Sequence, residues 1–112
     1  MTLQQLKYVV TVARTGSMSE ASKELFISQP GLTTSIRELE TEMGIKIFTR
    51  TNKGVVTSNE GERFLGYARQ VLEQASLLEG VYKSGTKIKQ HISTVAKSTL
   101  FNPFKNKFPH ST

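Results

Sequence analysis

Cysteine is absent from the 112 residues, and histidine occurs twice, at His91 and His110. Without thiols there is neither a disulfide framework nor a thiolate zinc site, and two scattered histidines are too few to hold a metal. No window approaches the roughly eighteen consecutive apolar residues that a membrane span requires. The opening Met1-Thr2-Leu3-Gln4-Gln5-Leu6 is interrupted by polar residues where a secretory leader would run from basic to apolar. The expectation is a soluble, cytoplasmic chain. An active site would need a nucleophile, a base and an orienting group, or a metal set. The acids are glutamates on helical stretches and both histidines lie in the last quarter of the chain, so the reading is not an enzyme, with no cofactor. The length leaves room for one small domain with a single core, plus an appended helix or tail.

The formal net charge of +6 suggests a nucleic-acid partner, but its distribution weakens that inference. Residues 1–58 carry seven Lys/Arg against five Glu, residues 59–85 three against four, and residues 86–112 five Lys against no acid. Most of the excess sits at the end of the chain, and a bulk charge of this size fits an ordinary solvated surface equally well. Any argument for nucleic acid has to rest on where particular side chains fall.

Residues 3–14 place Leu3, Leu6, Val9, Val10 and Ala13 on one stripe with a period near 3.6, which predicts an amphipathic helix ended by Gly16. Ser17-Met18-Ser19-Glu20 has capping-box spacing and opens a second helix with Ala21 and Leu25 on its buried face. That helix is short, because Ser28 is a second cap and Pro30 is tolerated only in the first turn of a new helix. A tight helix-turn-helix follows. The third helix runs from about Gln29 to Met43, burying Leu32, Ile36, Leu39 and Met43 and stopping at Gly44, with Ile45 folding back on the last turn. Its opposite side carries Gln29, Thr33 and Arg37 at four-residue steps with Thr34 beside them. These are an amide, two hydroxyls and a guanidinium, the groups that read base edges and phosphates. Pro30 starts the helix and offers an apolar contact for a thymine methyl, while Ser28 caps the helix and can present backbone amides to a phosphate.

Ile47-Phe48 and Val55-Val56 are β-prone runs around Thr49-Arg50-Thr51-Asn52-Lys53-Gly54, which predicts a hairpin with a basic tip, a wing after the third helix. Thr57-Ser58-Asn59-Glu60 repeats the capping-box spacing and opens a helix to about Ser84 or Gly85, roughly 40 Å long. Phe64, Ala68, Val71, Ala75, Leu78 and Tyr82 alternate steps of four and three along it, with Leu65 and Leu72 flanking. That is a coiled-coil-like seam, and it predicts pairing of two copies.

Taken together, Leu6-Lys7-Tyr8-Val9-Val10, Gly16-Ser17-Met18, Ala21-Ser22, Leu25, Ile27 to Thr33, Ile36 to Glu40, Met43 to Phe48, Arg50, Thr57 and Gly61 resemble, in order and spacing, the N-terminal region of LysR-type transcriptional regulators. The resemblance covers about three quarters of the chain, from Met1 to about Gly85. It implies a mainly α winged helix-turn-helix, three helices and a two-stranded wing, followed by a long dimerising linker helix. It also implies binding to double-stranded promoter DNA as a homodimer or higher oligomer, with the third helix in the major groove. The same resemblance puts the wing arginine, Arg50, at the minor groove, with Lys53 beside it; Asn52 serves the turn, the DNA, or both.

The expected division is 1–58 for the DNA-binding domain, 59–85 for the linker helix, and 86–112 for a disordered tail or the truncated start of an effector domain. Family members continue for on the order of one to two further domain lengths into a two-lobed sensor of small molecules. Lys89 to Val95 and Leu100 to Phe108 would be its first strand and helix, so no effector site is expected to be complete here. The rival to a homodimeric regulator is a truncated, dominant-negative partner that pairs with a full-length relative.

Overall fold

The computed structural model describes residues 1–83, in the order α1 (Leu3–Thr15), α2 (Met18–Leu25), α3 (Gln29–Met43), β1 (Phe48–Thr51), β2 (Gly54–Thr57) and α4 (Asn59–Lys83). The strand expected at 89–95, the helix at 100–108 and the linker's end at Ser84 or Gly85 lie outside the described residues. The chain divides into two units within α4, the first being Met1–Glu73. The described part of the second is residues 74–83.

In the first unit each helix begins at a hydroxyl. Thr2 caps α1 through a reciprocal box with Gln5, which the sequence reading did not anticipate. Ser17 caps α2 by accepting from the Glu20 N–H at 3.1 Å, without the return bond that its spacing suggested. Ser28 caps α3 by accepting from the Gly31 N–H at 3.1 Å, with Pro30 in the first turn where a missing N–H costs nothing. The buried stripe of α1 is Leu6, Tyr8, Val9 and Val12, rotated from the expected one, so that Leu3 stays exposed. Tyr8, Val9 and Val12 meet Ala21 of α2 and Leu32, Ile36 and Leu39 of α3 in one apolar core, with Leu25 and Met43 packed at its edge.

α3 ends as expected. Gly44 adopts φ +70°, and the Ile45 N–H reaches back to the Glu40 carbonyl at 3.2 Å. The hairpin differs from its prediction. Its strands pair antiparallel from Phe48↔Thr57 to Thr51↔Gly54, so the tip is Asn52-Lys53 alone and Arg50 lies within β1. Gly54 has φ +133° and passes so close to the Gly16 carbonyl that no Cβ would fit, while the Val55 N–H donates to that carbonyl at 3.0 Å. The wing is thus attached to the end of α1.

α4 is capped by Ser58, one residue later than expected: its hydroxyl accepts from the Gly61 N–H at 2.9 Å and donates to the Lys46 carbonyl at 2.5 Å. Leu65 and Ala68 are buried, Leu65 within the core. In the second unit Leu78 and Tyr82 are exposed, and Lys83 pairs with Glu79 at 3.5 Å across one helical turn.

Two positions test this packing. Phe26, at the turn between α2 and α3, holds φ +56° while 96% exposed, so a bulky residue carries the left-handed cap at the end of α2 with no packing in return. Phe26→Asn is expected to stabilise the fold by about 1 kcal/mol, raising the thermal midpoint by a few degrees. A Cβ on Gly61 would collide with the Ile47 carbonyl oxygen. Gly61→Ala is therefore expected to cost about 1–3 kcal/mol, measured by urea denaturation of the same chain.

Candidate nucleic-acid interface

α3 has two faces of opposite character. Leu32, Ile36 and Leu39 anchor it in the core, which leaves Gln29, Pro30, Thr34 and Arg37 exposed and Thr33 half-buried on the other side. These five line one shallow groove along the helix. Ser28 sits just before them with its hydroxyl committed to the cap.

The wing lies against this ridge. Arg50, third residue of β1, donates from its guanidinium to the Thr33 hydroxyl at 3.3 Å. Thr33, Arg37 and Arg50 share a second groove, between α3 and β1, with Lys46 and Thr49. Gln29, Arg50 and Asn52 line a third, on the α2 side. The structure thus brings together eight of the nine residues expected to read DNA, as Ser28 directly precedes Gln29. Lys53 at the exposed tip lines none of these grooves.

Lys46 and Thr49 were missed in the sequence. Lys46 falls in the irregular connection before β1, where no periodicity flags it. Thr49 could have been found had the strand been extended to Thr51, since it neighbours Arg50 on the chain. A further exposed acid, Glu38, stands beside Arg37 and Thr34 in a groove with Thr41 and Glu42.

The residues of the expected pairing seam are differently placed. Phe64 is half-buried against the chain's own core and Ala68 is 2% exposed, so both are covered by their own chain. Val71 is 41% exposed, and in the second unit Leu78 is 62% and Tyr82 77% exposed, with Ala75 half-buried. Among the described residues no helix is long and apolar enough to cross a membrane, and no group of three His, Asp or Glu stands close enough to share a metal.

A three-helix core, a polar ridge on the third helix and a two-stranded hairpin braced against that ridge define a winged helix-turn-helix, followed by a long helix. The chain belongs to the lysR family of bacterial regulatory helix-turn-helix proteins, whose family model matches residues 3–62. It is 46% identical over 72 residues to the HTH-type transcriptional regulator TfdT of Cupriavidus pinatubonensis, an alignment that covers 64% of this chain and 32% of TfdT. Among solved structures it is similar to the DNA-binding domain of CbnR in complex with DNA, with 38% identity, a TM-score of 0.66, and coverage of 68% of this chain and 87% of that one. It is also similar to the BenM DNA-binding domain on its benA site 1 DNA, with 35% identity, a TM-score of 0.70, and coverage of 74% and 93%. The chain spans between 26% and 38% of the length of the first curated relatives it matches.

Proposed function

We propose that this chain is the DNA-reading part of a transcription regulator that binds a promoter site as a homodimer and catalyses no reaction. The observation that carries this reading is the exposed ridge of Gln29, Thr33, Thr34 and Arg37 on a helix whose other face is fixed in the core, with Arg50 of the wing bonded to Thr33. The ridge presents both hydrogen-bonding atoms and positive charge from elements too well packed to rearrange cheaply. The CbnR and BenM domains that it resembles are seen on DNA.

In this reading α3 enters the major groove. Gln29 offers its amide to an adenine edge, Thr33 and Thr34 supply hydroxyls, and Pro30 meets a thymine methyl. Arg37 reaches a phosphate or a guanine. The start of α3 at Ser28 points backbone amides at a phosphate, and Arg50, Asn52 and Lys53 follow the backbone into the minor groove. Residues 1–58 do the reading, 59–85 pair two copies, and 86–112 begin an effector-sensing part or form a tail. The exposed Val71, Leu78 and Tyr82 support the pairing. A stripe of large apolar groups in water gains about 1.5–3 kcal/mol per side chain when a second copy covers it.

The test begins with selection of duplexes from a randomised pool, followed by salt titrations on a selected and a scrambled duplex. Gln29→Ala is expected to weaken the selected duplex by about 1–3 kcal/mol and to leave scrambled DNA nearly unchanged. Arg50→Ala is expected to weaken both and to reduce the salt slope by about one. An unchanged selected-to-scrambled ratio in Gln29→Ala would remove α3 as the reader.

Pairing is checked separately by light scattering. Val71→Glu with Leu78→Glu is expected to convert dimers to monomers, and a double variant that stays dimeric places the interface elsewhere.

A further inference from the structure

One residue of α3 gathers nearly all the backbone donors of the connection to the wing. The Glu40 carbonyl accepts from the Gly44 N–H at 2.9 Å and the Ile45 N–H at 3.2 Å. Its carboxylate Oε2 accepts from the Ile47 N–H at 2.7 Å and the Phe48 N–H at 3.3 Å. Of the five amides from Gly44 to Phe48, four therefore end on Glu40. None of the ion pairs among the described residues involves it, although Arg37, Lys46 and Arg50 line the same groove. Its carboxylate is spent on the backbone.

We propose that Glu40 is the positioning residue that holds the wing in register with the recognition helix, and so determines whether the wing and α3 engage one duplex together. The proposal rests on the DNA-binding reading above and adds a role for a residue that lines the same groove as Thr33, Arg37 and Arg50 but was not expected to read DNA. The physical argument is one of leverage. β1 is joined to α3 at two places: at its start by Glu40, and further along by the bond from Arg50 to Thr33. Thr33 and Glu40 lie about two helical turns apart, so the two joints prevent the strand from swinging about either one. The Arg50 joint is a single exposed bond of 3.3 Å, too weak alone to hold a hairpin in water. The Glu40 joint is doubled and half-buried, with both amides on one oxygen at the end of a side chain of the right reach, and it governs the orientation.

Reach and charge can be separated by substitution. Glu40→Gln keeps the side-chain length and one carbonyl oxygen, which suffices because a single oxygen accepts both amides. Glu40→Asp keeps the charge but is one methylene short. The full 112-residue chain carries each change. Amide NMR of the free protein is the first readout: Glu40→Asp is expected to shift and broaden the amides of residues 47–57 while those of α1 and the first turns of α3 stay in place, and Glu40→Gln to resemble the unaltered protein.

The second readout is a pair of double-mutant cycles on the duplex selected with the unaltered protein. Lys53→Ala at the wing tip is expected to weaken binding about tenfold in the unaltered protein and less than about twofold on the Glu40→Asp background. Gln29→Ala keeps its full effect on both. A wing that stays in place by NMR in Glu40→Asp, a Gln variant as damaged as Asp, or an additive Lys53 cycle overturns the proposal. If the unaltered protein selects no duplex, the DNA-binding reading fails, and the NMR comparison still decides whether Glu40 places the wing.

Discussion

The backbone of Ile47 is the constraint through which the described elements from α3 onward are joined. Its N–H donates to the Glu40 carboxylate at 2.7 Å, its carbonyl accepts from the Ser58 N–H at 2.9 Å, and its side chain is fully buried in the core. An amide buried without a partner costs roughly 1–3 kcal/mol, so each bond is demanded once the side chain is inside. Meeting that demand ties both α3 and the start of α4 to the backbone of one residue. The close approach in turn leaves no space for a side chain at Gly61, and the Ser58 hydroxyl strengthens it by bonding both the Lys46 carbonyl and the Gly61 amide.

α3 divides its labour along its length. Its ridge carries short hydroxyls, one amide and one guanidinium, yet the helix as a whole has three glutamates, Glu38, Glu40 and Glu42, against the single Arg37. Positive charge near the ridge comes mainly from the approach to the wing and the wing itself, through Lys46, Arg50 and Lys53. In a DNA complex this separates two tasks that one basic helix would combine. On the proposed reading, the wing side would supply attraction that salt weakens, and the helix the hydrogen-bonding atoms that tell one base pair from another. Glu38 and Glu42 place negative charge in the groove beside Arg37.

Much of this was legible in the sequence. The extent of α3, its glycine stop, the short α2 and the hydroxyl at Ser28 all follow from local rules that residues obey wherever they occur. The wing was legible as a hairpin but not in its limits, because Thr49, Arg50 and Thr51 lie on a two-stranded ribbon without the apolar alternation that marks a strand packed on a core. The start of α4 was displaced by one residue, since Thr57 and Ser58 cap equally well locally and the choice is made by the Lys46 carbonyl, a partner distant in sequence. Ala68 reads as part of a pairing seam, and its burial within its own chain depends on where the helix lands. Glu40 could not have been singled out, because a carboxylate that serves backbone amides seven and eight residues onward leaves no trace in any periodicity.

A two-stranded ribbon is barely stable alone in water, and this one is fastened on both strands, at the base of β1 by Glu40 and at the turn end of β2, through Val55, by the Gly16 carbonyl. Among the described residues, its far end, Asn52-Lys53, makes no hydrogen bond beyond its own turn, where Thr51 bonds the Lys53 amide and the Gly54 carbonyl. The hairpin is therefore held along its length, and only the two-residue turn projects beyond its fastenings. Residues inserted at that turn would lengthen its reach without disturbing the core, because an exposed loop tip tolerates growth while the fastened strands stay in place.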